Sequence, residues 1–255
     1  MTLEYAPKGL IGILTPQANT TVEPEMAIMT PSGLSFLTAR LCSAKPSMDE
    51  RLHDYFEIFG EALREFANAP LSAAGFACTG ASYLVGARRE DAAVASLSER
   101  AGFPVVTATI AIADALRAVG AERIALLSPY DDALHAASEA YWSARGFIVV
   151  ASFSVFRHSQ EFHPIYSLPS DATRLGMAHL AGAQADAIVV LGTGLPSLAP
   201  IAATPRMGGK PVLSSMLCMG WRLFALAGAW PGDGAGLLRF AEDPGWRRRL
   251  AAARG

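Results

Sequence analysis

Residues 103–120 read FPVVTATIAIADALRAVG, and residues 210–228 read KPVLSSMLCMGWRLFALAG. Both run Pro-Val, a hydroxyl residue, an amphipathic helical stretch and a closing Gly suited to a left-handed C-cap. Two further pairs lie outward from these. GLIGILTP (9–16) matches ERIALLSP (122–129), each an apolar run ending in hydroxyl-Pro. GFACTGAS (75–82) matches VVLGTGLP (189–196), each a run that breaks into a Thr-Gly turn. One such pair arises by chance in any chain of alternating strands and helices. Three pairs in the same order in both halves argue for duplication of an α/β unit.

Short apolar runs alternate with helix-like stretches along the whole chain, the pattern of parallel sheets with crossover helices. Strands are expected at 10–14, 34–39, 74–77 and 105–107, then at 124–127, 147–151, 187–191 and 212–214. The expected fold class is therefore α/β, with two pseudo-symmetric, open parallel-sheet, Rossmann-like halves and the site between them. The first half spans 1–118 and the second 119–230, with its last helix free to pack on the first. A Gly/Pro-broken tail, 231–255, ends in a short basic helix and reads as peripheral or subunit-contacting. In open sheets of this kind ligands bind where strand ends face a crevice. The loops 15–21, 77–82, 128–132 and 192–196 would line it.

Composition narrows the function. Of 255 residues 51% are apolar and 17% charged, enough for a substantial core. A net charge of −2 offers no basic footprint for nucleic acid. Only Lys8, Lys45 and Lys210 could form a Schiff base, which weakens a pyridoxal-phosphate reading. The first residues are too briefly apolar for a signal peptide, and no stretch nears the roughly 18 apolar residues of a membrane span. A cytoplasmic, membrane-free protein is expected. Cys42, Cys78 and Cys218 form no CxxC pair, so reduced thiols are expected rather than disulfides or zinc ligands. Gly192-Thr193-Gly194 is followed by Leu195-Pro196 and so does not complete GxGxxG; neither GxxxxGK[ST] nor GxSxG occurs. His158, Glu161 and His163 crowd RHSQEFHP, but their spacing fits no standard metal signature. A solvated or substrate-covering loop is the better reading.

Cys78 is the prime candidate for chemistry. It follows an apolar run and precedes Thr79-Gly80, so its thiol is expected beside the N–H groups of a helix start, which lower a thiol pKa. A thiolate there can act as base, acid or nucleophile. Free cysteine is also commonly buried and inert, and position alone weighs the two about evenly. Cys42 and Cys218 lie in strand-like and helix-like runs and read as core. The loop TPQANTT (15–21) offers short polar groups that could cradle a carboxylate, or simply an Asn/Thr cap with Glu23 completing a capping box. Tyr130 could donate its hydroxyl to the same anion, or pack with a solvated phenol.

At these residues the chain resembles a known family. ILTPQANTTVEPEM, ACTGASY, SPYDDALHAA and KPVLSSMLCMGWRLFALAG resemble loops of the maleate cis–trans isomerases, a branch of the aspartate/glutamate racemase superfamily. The Asn-Thr-Thr loop is fairly specific for that branch, and the related arylmalonate decarboxylases usually lack it. The likeness runs from about residue 9 to 228. It implies two α/β halves, no cofactor, a small carboxylic acid substrate and a homo-oligomer. Cys78 would be nucleophile or proton carrier. Asn19 and Tyr130 would bind substrate carboxylate. Pro16 and Gln17 belong to the same loop as Asn19, and Thr79, Gly80, Thr193 and Gly194 would supply donors to a developing enediolate. Relatives with two catalytic cysteines carry the second where this chain has Gly192, so two-base racemisation is disfavoured. In the RHSQEFHP loop, where isomerases offer an Asn, His158 or Ser159 would substitute. The leading expectation is a maleate-isomerase-like enzyme. Decarboxylation with Cys78 as proton donor is the runner-up, and an amino-acid or hydantoin-type racemase or a non-catalytic acid-binding protein follow.

Overall fold

The computed structural model describes residues 3–157 and 163–254. The strands are β1 (Gly9–Pro16), β2 (Leu34–Leu41), β3 (Leu71–Phe76), β4 (Val105–Thr107), β5 (Arg123–Ser128), β6 (Ile148–Ser154), β7 (Ala187–Val190), β8 (Arg206–Met207) and β9 (Lys210–Ser214). One sheet has the order β2-β1-β3-β4, all parallel. The other has the order β6-β5-β7-β9, also parallel, with the two-residue β8 pairing antiparallel on β9. The orders superpose strand for strand, so the sequence pairs correspond to β1 with β5, β3 with β7 and β4 with β9. β1, β5 and β7 are buried almost throughout because helices cover both faces of each sheet, which explains their unbroken apolar runs.

The repeated hydroxyl has a clear job. Thr107 accepts a hydrogen bond from Ile110 N and caps the helix Ala108–Ala118, while Ser214 accepts from Leu217 N and caps Ser215–Leu226. Gly120 and Gly228 follow these helices at φ +69° and +71°, the left-handed conformation expected of them. The two helices pack on each other, and Ser215–Leu226 also reaches across to β3. There Gly75 makes room, since a Cβ on it would lie 2.8 Å from Leu223 Cδ1. One large apolar core thus runs through both halves, and a second, smaller one lies within the second half around Leu127, Ile188 and Val212.

Two expectations are corrected. Cys42 is exposed, not core. It falls one residue beyond β2, an outer strand, and strand alternation turns it away from buried Leu41. The tail is not peripheral. It forms helices Gly234–Ala241 and Pro244–Arg254, which bury Leu237, Phe240 and Trp246. Arg249 in the second helix donates to the carbonyls of Ile28 and Met29 in the first half. Apolar positions at helical spacing, interrupted by the Gly/Pro breaks, hid this packing. Among the described residues no helix is long and apolar enough to cross a membrane.

Candidate active site

Where the β-strand C-termini of the two sheets face each other lies a cavity of about 80 Å³. Cys78 lies on its wall, just past β3, at the N-cap of the helix Thr79–Val85. The local sequence dictates this: β3 ends, Thr79-Gly80 turns, and the first helical N–H groups are left without intrahelical partners. Those of Gly80 and Ala81 point at the sulfur. The thiol is nevertheless pushed up to about 12, because burial outweighs the two N–H groups. The direction is thus opposite to the one a helix start alone would give. At neutral pH Cys78 holds a proton.

Around the sulfur stand Pro16, Thr79, Gly80, Tyr130, Thr193 and Gly194 from the expected loops. Tyr130 OH and Thr79 Oγ1 lie 2.6 Å apart, linking second half to first. Burial drives the Tyr130 phenol well above its ordinary value, so it remains a hydrogen-bond donor. Thr193 Oγ1 donates to Ala77 O at 2.8 Å, directly before Cys78.

The other expected residues are placed differently. Asn19 sits behind the wall, not on it. Its Oδ1 accepts from Thr21 N and Val22 N, and its Nδ2 donates to Thr193 Oγ1 at 3.4 Å. The cap of helix Val22–Met29 therefore comes from Asn19. Glu23 completes no capping box, because it pairs with Arg40 at 2.5 Å. Gln17 Oε1 accepts from Ser43 N at 2.6 Å, also away from the cavity. Cys218 is buried in the core. Ser159, His158 and Glu161 lie outside the described residues. Among the described residues no three His, Cys, Asp or Glu side chains cluster to hold a metal.

Gly192 lies on the wall at φ +89°. A Cβ there would come within 2.7 Å of Pro129 Cγ and 3.1 Å of Ile165 Cδ1. The place of a second thiol is therefore filled, not vacant. Residues the sequence reading passed over complete the enclosure: Met48, Leu52, Leu134, Phe156, Ile165 and Tyr166. Among the described residues no lysine or arginine lines it. The Tyr166 ring covers Gly194, leaving no room for a side chain there, and stacks on His163 at 4.9 Å. Burial lowers His163 to about 4, so its ring is neutral in ordinary buffers. A one-turn 3₁₀ helix, Pro164–Ser167, places these residues, and nothing in their local pattern announces a site.

A small, largely apolar chamber with one thiol, hydroxyl groups and helix-start N–H groups, set between two parallel α/β sheets, defines the class of protein among which its relatives are found. A family model for arylmalonate decarboxylase matches residues 11–238, and the chain belongs to that family. The maleate isomerase of Geobacillus stearothermophilus is 29% identical over 157 residues, which span 57% of this chain and 62% of that relative. A serine-for-cysteine mutant of Nocardia farcinica maleate cis–trans isomerase, carrying a covalently bound succinylcysteine intermediate, superposes with a TM-score of 0.77. It is 24% identical, and the match covers 91% of this chain and 98% of that one. A liganded arylmalonate decarboxylase with one glycine changed to cysteine and one cysteine to serine gives a TM-score of 0.74. It is also 24% identical, with 86% and 93% covered.

Proposed function

We propose that this chain is a cofactor-independent decarboxylase of small substituted malonates, with Cys78 as the proton donor. What carries the reading is the geometry of a single buried thiol in a small apolar-walled cavity with no room for a side chain at Gly192; burial, which raises that thiol, agrees with it. The step balances simply. The bond between the α-carbon and one carboxylate breaks, CO2 leaves, and the electron pair stays on the remaining carboxylate as an enediolate. Tyr130 OH, Thr79 and Thr193 hydroxyls and nearby backbone N–H groups meet that charge. The Cys78 S–H proton passes to the α-carbon, and solvent reprotonates the thiolate. Apolar side chains around the chamber favour loss of a charged carboxylate, because burial penalises a dianion more than the monoanion that remains. In the liganded decarboxylase variant described above, the two altered positions are separated by the same number of residues as Cys78 and Gly192 here.

The test is a panel of 2-substituted malonates in D2O. One CO2 released and one deuterium fixed per turnover, in a single enantiomer, is the expected result, with Cys78→Ala slower by roughly 10²–10⁴-fold or more. Failure to release CO2 from any of them would remove this reading.

A second reading is cis–trans isomerisation of a maleate-like acid, in which the sulfur adds to the alkene, the central bond rotates and elimination follows. The likeness to maleate isomerases favours it. Against it stand the raised thiol pKa and the position of Asn19 behind the wall, its Oδ1 taken up by the Thr21 and Val22 N–H groups. Conversion of maleate to fumarate, followed by proton NMR, would restore it to first place.

A further inference from the structure

Behind the cavity wall lies a buried carboxylate that neither reading uses. Glu25, on the helix Val22–Met29, reaches across to the second half. Its Oε1 accepts from Ser197 N at 2.6 Å and Leu198 N at 3.0 Å. Its Oε2 lies 3.0 Å from Ser197 Oγ, which is itself 2.8 Å from Ser214 Oγ. One hydroxyl hydrogen cannot serve both neighbours of Ser197. With Glu25 ionised, hydrogens run Ser214 to Ser197 to carboxylate; with Glu25 protonated, the order reverses. The same helix start holds the other end of this segment, through Thr21 Oγ1 to Gly194 O at 2.9 Å and Asn19 Nδ2 to Thr193 Oγ1. Thr193 and Gly194 line the cavity together with Cys78.

We propose that Glu25 is a positioning residue for the cavity, a proton-operated clasp that sets how firmly residues 193–197 are held against the first half. This rests on reading the cavity as the active site. Burial raises the Glu25 carboxyl to about 7, against the opposing pull of the Ser197 and Leu198 N–H groups and the Ser197 hydroxyl. The surrounding charges are otherwise occupied or distant in role. Glu23 pairs with Arg40, Asp171 with Arg174, and Arg222 with Asp114. Arg249 serves the Ile28 and Met29 carbonyls, Arg247 the Ala241 carbonyl, and His179 stacks on Phe153. Arg254 borders the shallow recess outside Glu25, and Arg248 lies on the same helix. None of these charges contributes to the shift.

Ionisation makes the hydrogen bonds to Ser197 and Leu198 charge-assisted, shorter and stronger, so the segment is held best above pH 7. Stability moves the other way. The folded carboxyl keeps its proton above the ordinary value of 4.5, so Glu25 contributes most to stability below that pH. The contribution falls as pH rises and levels off above about 7. A side chain that merely fills space would move stability and turnover together. This one moves them in opposite directions.

The experiment follows the amide signals of Thr193, Gly194 and Ser197 in ¹⁵N-labelled protein from pH 5.5 to 8.5, in wild type and in Glu25→Gln. The amide side chain of glutamine reproduces the protonated pattern, accepting from both N–H groups and donating to Ser197 Oγ. Wild-type signals should titrate with a midpoint near 7. In E25Q they should not, its Tm above pH 8 should exceed wild type, and kcat/KM should lose its rise through neutrality. Wild-type signals that stay still, or an E25Q variant that titrates like wild type, would overturn the clasp. Should E25Q fail to fold, Glu25→Asp must still shift the wild-type midpoint, and an unchanged midpoint overturns the proposal. If no acid is turned over, the amide titration still decides, so failure of the decarboxylase reading is told apart from failure of the clasp.

Discussion

At the scale of single residues, Cys78 and Gly192 set the chemistry, each through what surrounds it. The Cys78 thiol is 5% exposed and pushed up to about 12, so it is poorly nucleophilic at rest and carries a proton that only a strongly basic carbanion or enediolate would take. Iodoacetamide at pH 7.5 should modify exposed Cys42 first. Inactivation through Cys78 should quicken about tenfold per pH unit, because a raised pKa keeps the thiolate fraction climbing throughout the working range. Mass spectrometry of the labelled peptides checks this; early labelling of Cys78 would contradict its burial. Gly192 combines φ +89° with Pro129 and Ile165 against its Cα. Gly192→Ala should therefore cost about 2–4 kcal/mol in urea unfolding, from backbone strain and overpacking together. Gly192→Cys should not create a racemase. An alanine variant as stable as wild type would mean that Pro129 and Ile165 yield easily.

The elements explain why the repeats were readable and the tail was not. Thr107 and Ser214 are equivalent caps on equivalent helices, and either Thr107→Ala or Ser214→Ala should lower stability by about 1 kcal/mol. Each change also strips a buried hydroxyl of a partner, Thr109 Oγ1 for Thr107 and Ser197 Oγ for Ser214, so the two losses should be similar. The terminal helix Pro244–Arg254 docks through Trp246, fully buried with its Nε1 donating to Phe240 O at 2.6 Å. Trp246→Ala should destabilise by about 3–5 kcal/mol. A near-neutral result in thermal unfolding would return the tail to the surface role its Gly and Pro residues suggested.

For the whole molecule the decisive feature is how the halves are joined. Glu90 of the first half, fully buried, accepts from Tyr141 OH, Thr109 Oγ1 and Arg145, the last at 2.7 Å. Arg145→Ala leaves that carboxylate buried without its cation and should cost about 3–5 kcal/mol, measured by chemical denaturation. A small loss would mean that Tyr141 and Thr109 alone satisfy Glu90. The duplication, the strands themselves, the left-handed glycines and the Cys78 position at a strand end were legible in the sequence, because local propensity and periodicity write them into short windows, whereas the strand order and the capping role of the repeated hydroxyls came from the structure. Contacts between residues far apart in the chain were not. Asn19 on Thr193, Glu25 on Ser197, Tyr166 over Gly194 and Ile165 against Gly192 join positions that no spacing rule relates. The protonation of Cys78 likewise depends on desolvation by distant segments, which outweighs the adjacent helix start. Sequence by itself determined the two-sheet scaffold and the thiol at its seam, whereas tertiary packing alone decided that the thiol keeps its proton and that the opposite wall is closed.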